Sequence, residues 1–225
     1  MIVQKGLDPD RLNDHSRGMS SAEDNRSRIV DAAMALFWAK GYNSTSIADL
    51  LGRTGLNAGS LYHVFPGKQD ILIAVLTAYR DGLFPILVDP AWGGVEDPIA
   101  RIFALLARYR LALVETDCTY GCPIGSLALE LHEADPVVRA LLAENFSGWT
   151  GAIRHCLDAA GRRLPDDVDR QGLAEFVLTA MEGGVMQART HRDIACFDRA
   201  VAALRDHFAM LEERAGRIAP AGEER

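Results

Sequence analysis

The sequence predicts an all-α fold: an N-terminal three-helix helix-turn-helix domain followed by a larger helical domain. Three observations carry this expectation. Apolar residues recur at steps of three and four along most of the chain, and no segment alternates as a strand would. Capping residues fall where helices should begin, at Ser46, Asn57, Asp97-Pro98 and Asp135-Pro136. Glycines fall where helices should end, at Gly41, Gly55 and Gly161.

The elements follow in order. Residues 26–40 place Ile29, Ala32, Ala33, Leu36 and Phe37 on one stripe, and Gly41 closes that helix. Ser46 and Asp49 have the spacing of a capping box and open a helix over 47–53, with Ile47, Leu50 and Leu51 on one face. Thr54-Gly55 breaks it. Asn57 caps a second helix over 58–64, which Phe65-Pro66-Gly67 stops. The helix begun at Lys68 runs through Ile71, Leu72, Val75 and Leu76 towards Leu83. Pro85 should end or kink it, leaving 85–96 as a loop. Helices are then expected over 98–114, 124–132, 136–160, 167–190 and 195–214, with a connector at 117–121. Residues 1–22 read as a flexible arm, 23–68 as the helix-turn-helix domain, 69–215 as a ligand-binding and dimerisation domain, and 216–225 as a flexible tail. Either Met1 or Met19 is the native start.

A helix pair with a glycine turn is what a DNA reader uses to lay its second helix in the major groove. The first turn of that helix, Ala58, Gly59 and Ser60, is small enough for close approach. Its free N–H groups and positive dipole end favour phosphate. Tyr62 and His63 flank it and can donate to phosphate oxygens. Thr45, Ser46, Asn57 and Lys68 complete the candidate DNA-contacting set, and Asn57 can in addition read adenine edges. Caps and periodicity alone fit a generic helical bundle equally well. On that reading Thr45 is a loop residue beside a cap, Tyr62 is half-buried packing, and Lys68 is a solvated helix-start lysine.

Residues 26–73 resemble the DNA-binding domain of the TetR family of transcriptional regulators. The matching positions are Ile29, Ala32, Ala33, Leu36, Phe37, Gly41, Tyr42, Thr45, Ser46, Ile47, Gly55, Gly59, Tyr62, Phe65 and Lys68. The family often has Ser or Thr where this chain has Asn57. The resemblance implies a homodimer on a pseudo-palindromic double-stranded DNA operator, acting as a repressor that a small apolar inducer releases. It also implies that the last two helices form a four-helix bundle with those of the partner. Phe176, Ala180 and Gly184, with Val201, Leu204 and Phe208, are the candidate interface residues. The same stripes also fit packing on the chain's own core. Gly183 and Gly184 are unfavourable inside a helix unless another backbone comes close. A ligand cavity is implied among the central helices, with Phe103, Tyr120, Cys122, Phe146, Trp149 and Met181 as candidate lining residues. Each of these also reads as ordinary core. The segment GCPIGSLALEL, residues 121–131, resembles a pattern in one branch of the family.

Net charge is −7, from 24 basic and 31 acidic residues, which at first sight opposes DNA binding. The distribution answers this. Arg26, Arg28, Lys40, Arg53 and Lys68 face only Asp31 and Asp49 within residues 26–68. Phosphate contacts act within roughly 8–10 Å, so a local basic surface suffices. No signal-peptide core is present, and no apolar run is expected to reach the ~20 residues of a membrane span. Cys118, Cys122, Cys156 and Cys196 are irregularly spaced and suit a reducing cytoplasm. A thiol-responsive regulator using Cys118 and Cys122 is the alternative mechanism. No catalytic or phosphate-binding motif occurs, so neither an enzyme nor a cofactor or metal is expected. Glu130 and Glu133, near His132, read as solvated carboxylates.

Overall fold

The computed structural model describes residues 21–218, and no described residue lies in a strand. The helices are α1 (Ser21–Lys40), α2 (Ile47–Thr54), α3 (Ala58–Val64), α4 (Lys68–Gly82), α5 (Asp89–Trp92), α6 (Pro98–Glu115), α7 (Pro123–Glu130), α8 (Pro136–Ala159), α9 (Arg170–His191) and α10 (Ala195–Ile218). Most of the expected arm, with Met19, lies outside the described residues, while 21 and 22 open α1. Of the expected tail, 216–218 continue α10 and the remainder lies outside. The chain divides into two compact units, one running up to Ile86 and including Tyr120–Phe146, the other formed by Leu87–Thr119 and the chain from Ser147 onwards.

In the first unit α1 packs against α2, α3 and α4. Ile29, Ala33, Leu50, Leu61, Ile71, Val75 and Leu76 lose all solvent exposure there. These are the residues that helical spacing put on the inner faces, so burial follows from sequence period. The buried Asn145 is satisfied by two carbonyls, donating to Leu76 O at 3.0 Å and Leu141 O at 2.8 Å. That amide ties the first half of α8 to α4, because an unpaired buried amide would be costly.

The loop expected over 85–96 is corrected at Pro85. The proline does not end the helix. Leu83–Val88 forms a π-helical segment that leads directly into α5. Proline removes one backbone donor and crowds the preceding turn, and a widened turn accommodates both. The loop therefore shrinks to 93–97. The run Lys68–Trp92 is long and apolar enough to cross a membrane by length and composition, contrary to expectation. Its Ile71, Leu72, Ala74, Val75 and Leu76 are instead buried within the first unit.

In the second unit, α9 and α10 are joined by residues 192–194 and pack along one another, with α6 against both. Arg192, at φ 51°, ends α9 in the left-handed conformation. Three of the expected interface residues, Gly184, Leu204 and Phe208, are buried within the single chain. A Cβ on Gly184 would stand 3.1 Å from Phe197 Cδ2 and 3.3 Å from Ala200 Cβ. The close backbone approach that this glycine permits is thus made with α10 of the same chain. The Phe208 ring meets Phe103 edge-on at 5.5 Å. Phe176 is 49% exposed, and Ala180 and Val201 are partly exposed.

Candidate nucleic-acid interface

The reader is built from its caps. Ser46 Oγ accepts from Asp49 N at 3.1 Å, and Asp49 Oδ2 accepts from Ser46 N at 2.7 Å, which completes the capping box. Asp49 also pairs with Lys40 at 2.7 Å. Hydrogen bonds from Lys40 and Ser46 hold its carboxyl well below the usual carboxylate range. Gly55, at φ 68°, takes the left-handed turn between α2 and α3 and donates to Leu51 O. Asn57 Oδ1 accepts from Ser60 N at 2.8 Å and opens α3. Leu61 and Phe65 anchor the helix inward, while Ser46, Asn57, Ala58, Gly59, Tyr62 and His63 are exposed and Ser60 is half-exposed. Tyr62 is 51% exposed, so about half of its surface stays open to solvent. The outer face of α3 therefore presents small groups, backbone N–H donors at its start and two side-chain donors.

Two members of the predicted set have a different place. Thr45 is 1% exposed, and its hydroxyl donates to Gly41 O at 2.7 Å. Lys68 Nζ donates to Tyr42 O and Thr45 O, each at 2.9 Å, and lies 4.2 Å from the Tyr42 ring centroid. Burial lowers the Lys68 pKa, and the nearby Glu130 carboxylate opposes this. Both residues hold the turn between α1 and α2, Thr45 from a buried position and Lys68 from a half-exposed one. The physical cause is that turn's carbonyls, which have no helical partner and take side-chain donors instead. The basic residues of this region are also partly engaged. Arg28 donates to Thr54 O at 2.6 Å and Arg26 sits 4.8 Å over Phe65, while Arg53 is exposed.

Glu130 is a further correction. Its carboxylate accepts from Tyr42 N at 2.9 Å and Asn43 N at 2.6 Å. Local sequence gave no signal for this, because the partners lie more than eighty residues apart. Tyr42 was known only as a motif position, and here it forms the middle of the turn.

The six expected ligand residues divide between the units. Tyr120, Cys122 and Phe146 belong to the first, and Phe103, Trp149 and Met181 to the second. Tyr120 stacks at 4.7 Å on Trp38. Cys122 caps α7, its sulfur accepting from Gly125 N at 3.5 Å. Trp149 is 3% exposed, meets Tyr109 edge-on at 6.3 Å, and leaves its indole N–H without a protein acceptor. Met181 is fully buried. A cavity of about 470 Å³ opens in the second unit beside Gln187, His191, Asp193, Cys196 and Arg199, none of them in the expected set. No group of His, Cys, Asp or Glu side chains suited to a metal occurs among the described residues.

Comparison with known proteins gives a consistent answer. Residues 29–75 match the family model for bacterial regulatory proteins of the tetR family, and residues 98–203 match the C-terminal domain of LmrA/YxaF-like transcriptional regulators. The uncharacterized HTH-type transcriptional regulator Rv0196 of Mycobacterium tuberculosis is 31% identical over 196 residues, covering 84% of this chain and 97% of the relative. LmrA of Bacillus subtilis, an HTH-type transcriptional regulator, is 27% identical over 172 residues, covering 76% and 89%. The crystal structure of a regulatory protein TetR from Rhodobacter sphaeroides superposes with a TM-score of 0.73 at 24% identity, covering 81% and 98%, which shows the shared fold. With its capped reader and helical C-terminal region, the chain belongs to the TetR family of DNA-binding transcriptional regulators.

Proposed function

We propose that the chain is a homodimeric repressor that leaves a pseudo-palindromic operator when a small, largely apolar molecule binds its C-terminal region. The observation that carries this is the exposed, cap-organised face of α3. Ser46, Asn57, Ala58, Gly59, Ser60, Tyr62 and His63 are the proposed DNA-facing residues. Thr45 and Lys68 act behind them by shaping the turn. Because Asn57 Oδ1 is committed to the cap, two-point adenine reading would compete with helix capping. Asn57 is therefore assigned to capping and backbone contact. A relative from Mycobacterium, DhaR, is an HTH-type transcriptional repressor and 24% identical, which supports the sign of regulation. A regulator of this kind works where the chromosome is, in the cytoplasm.

Dimerisation is assigned to an apolar stripe across α9 and α10. Phe176 and Met186 on α9 and Met210 on α10 are 49%, 53% and 59% exposed. Phe176 contacts His207 of α10 at 5.8 Å, so the stripe is continuous across the helix pair. Exposed apolar side chains on both helices of the pair fit a self-complementary two-fold interface. The inducer is assigned by Trp149. A buried indole N–H without an acceptor, in the same unit as Met181, suits an apolar ligand carrying one hydrogen-bond acceptor. The thiol-responsive alternative is less well supported. Burial and the neighbouring Asp117 push the Cys118 thiol up, and Cys122 is buried as a helix cap.

The test is an electrophoretic mobility shift on the DNA upstream of the chain's own gene, alongside the Phe176→Glu/Met186→Glu double variant. The wild type should give a dimer-sized, sequence-specific complex that the double variant forms much more weakly. A wild type that retards specific and unrelated DNA equally would overturn the proposal.

A further inference from the structure

Segment 120–130 is docked on the DNA-binding helices at both of its ends. At one end the Tyr120 ring lies 4.7 Å from Trp38, and Trp38 Nε1 donates to Gly121 O at 2.7 Å. At the other end Glu130 receives the amide protons of Tyr42 and Asn43. The helix between them, α7, contacts α1. Its eight residues make a rigid strut about 12 Å long at ~1.5 Å per residue.

The grip at Glu130 is specific. Both carboxylate oxygens are used, each on a separate backbone donor. Gly41 makes room for them: a Cβ there would stand 2.8 Å from Glu130 Oε2, and its φ of 87° already favours glycine. On the opposite side of the same turn, Lys68 Nζ holds the carbonyls of Tyr42 and Thr45. The Tyr42 residue is thus gripped between a carboxylate on its N–H and an ammonium on its C=O. Hydrogen bonds to charged groups are about twice as strong as neutral ones, so this turn is unusually well fixed. It leads directly into Ser46, the cap of α2, and its position sets where α2 and α3 stand.

We infer that Glu130 is a positioning residue for DNA binding: its carboxylate, carried on α7, clamps the α1–α2 turn and so sets where the reader's helices stand. Displacement of α7 by a few tenths of an ångström lengthens two short charged hydrogen bonds at once. Loosening the turn frees Ser46 and the start of α2. Glu130 touches no DNA on this account and acts only through Tyr42 and Asn43. The inference rests on the DNA-binding reading above for its consequence, but the clamp can be tested without DNA.

Glu130→Gln keeps the side chain's size, yet supplies only one acceptor and turns an NH2 towards a backbone N–H. Amide hydrogen exchange of the full-length protein is read residue by residue, with thermal unfolding in parallel. Tyr42 and Asn43 should exchange about tenfold faster while Leu61 in α3 stays protected and the melting temperature moves little. Affinity for the upstream DNA should fall about fivefold or more, with the change following loss of backbone-positioning contacts. Trp38→Phe keeps the ring on Tyr120 but removes the bond to Gly121, and it should speed exchange at the same two amides to a smaller degree. This variant decides the matter should Glu130→Gln not fold. Unchanged exchange at Tyr42 and Asn43 in the folded variants overturns the clamp. Faster exchange with unaltered DNA affinity overturns the positioning role. If the wild type itself ignores the upstream DNA, the operator reading fails, and the exchange result still decides the clamp.

Discussion

Gly183→Ala and Gly184→Ala are the same chemical change one residue apart, so the helix-propensity gain, about 1 kcal/mol, is common to both. Their surroundings differ. A Cβ at Gly183 has nothing within 4 Å, whereas at Gly184 it meets Phe197 Cδ2 at 3.1 Å, Ala200 Cβ at 3.3 Å and Phe197 Cα at 3.5 Å. Phe197 is 1% exposed and cannot swing aside, so α9 and α10 must separate slightly. Overpacking of this kind costs about 1–3 kcal/mol. Gly183→Ala should therefore stabilise the folded chain by about 1 kcal/mol. The Gly184 variant should lie about 1–3 kcal/mol below it, a gap of roughly 2–12 °C in Tm at this chain length. The assay is thermal unfolding by circular dichroism at several protein concentrations, because dimerisation makes Tm concentration-dependent. Sedimentation of both variants separates changes in dimer affinity from changes in the fold. A Gly184 variant that melts at or above the Gly183 variant, with equal dimer affinity, would refute the assignment of this glycine to the intrachain helix contact.

Other consequences follow from the reader and the thiols. Asn57→Ala removes the α3 cap and should cost about 1 kcal/mol of stability. Asn57→Asp should keep the cap yet weaken DNA binding by charge, a split visible by pairing thermal melts with fluorescence anisotropy. The depressed Asp49 carboxyl stabilises the fold fully above its unfolded value near 3.8, and this contribution is lost as pH falls towards the folded value. Asp49→Asn should therefore reduce stability at neutral pH and make little difference in strong acid, as acid titration followed by circular dichroism can show. In the native protein an aromatic disulfide reagent should modify the half-exposed Cys196 first. Cys118, Cys122 and Cys156 are buried, with the Cys156 thiol pushed up to about 11, and should react only on unfolding. Mass spectrometry of peptides after timed quenching gives the order, and early labelling of Cys122 would contradict it.

The helices themselves were legible because their signals are local. Ser46, Asp49, Gly55 and Asn57 act within four residues of where they stand, and each performs the capping or turning that its spacing implied. The loop expected after Pro85 is absent for a related reason: a proline's local effect is certain, but whether a helix stops or widens depends on what holds the chain beyond it.

The sequence by itself determined the all-α class, the helix-turn-helix and the small outer face of α3, since periodicity, caps and turn chemistry are properties of neighbouring residues. Only the tertiary structure decided what long-range partners would do. Thr45 and Lys68 donated to carbonyls of a turn, Glu130 reached that turn from a distant helix, and Gly184 served its own chain's α10. A polar side chain satisfies whichever unpaired backbone group the fold brings within reach, and spacing along the chain carries no record of that group's position.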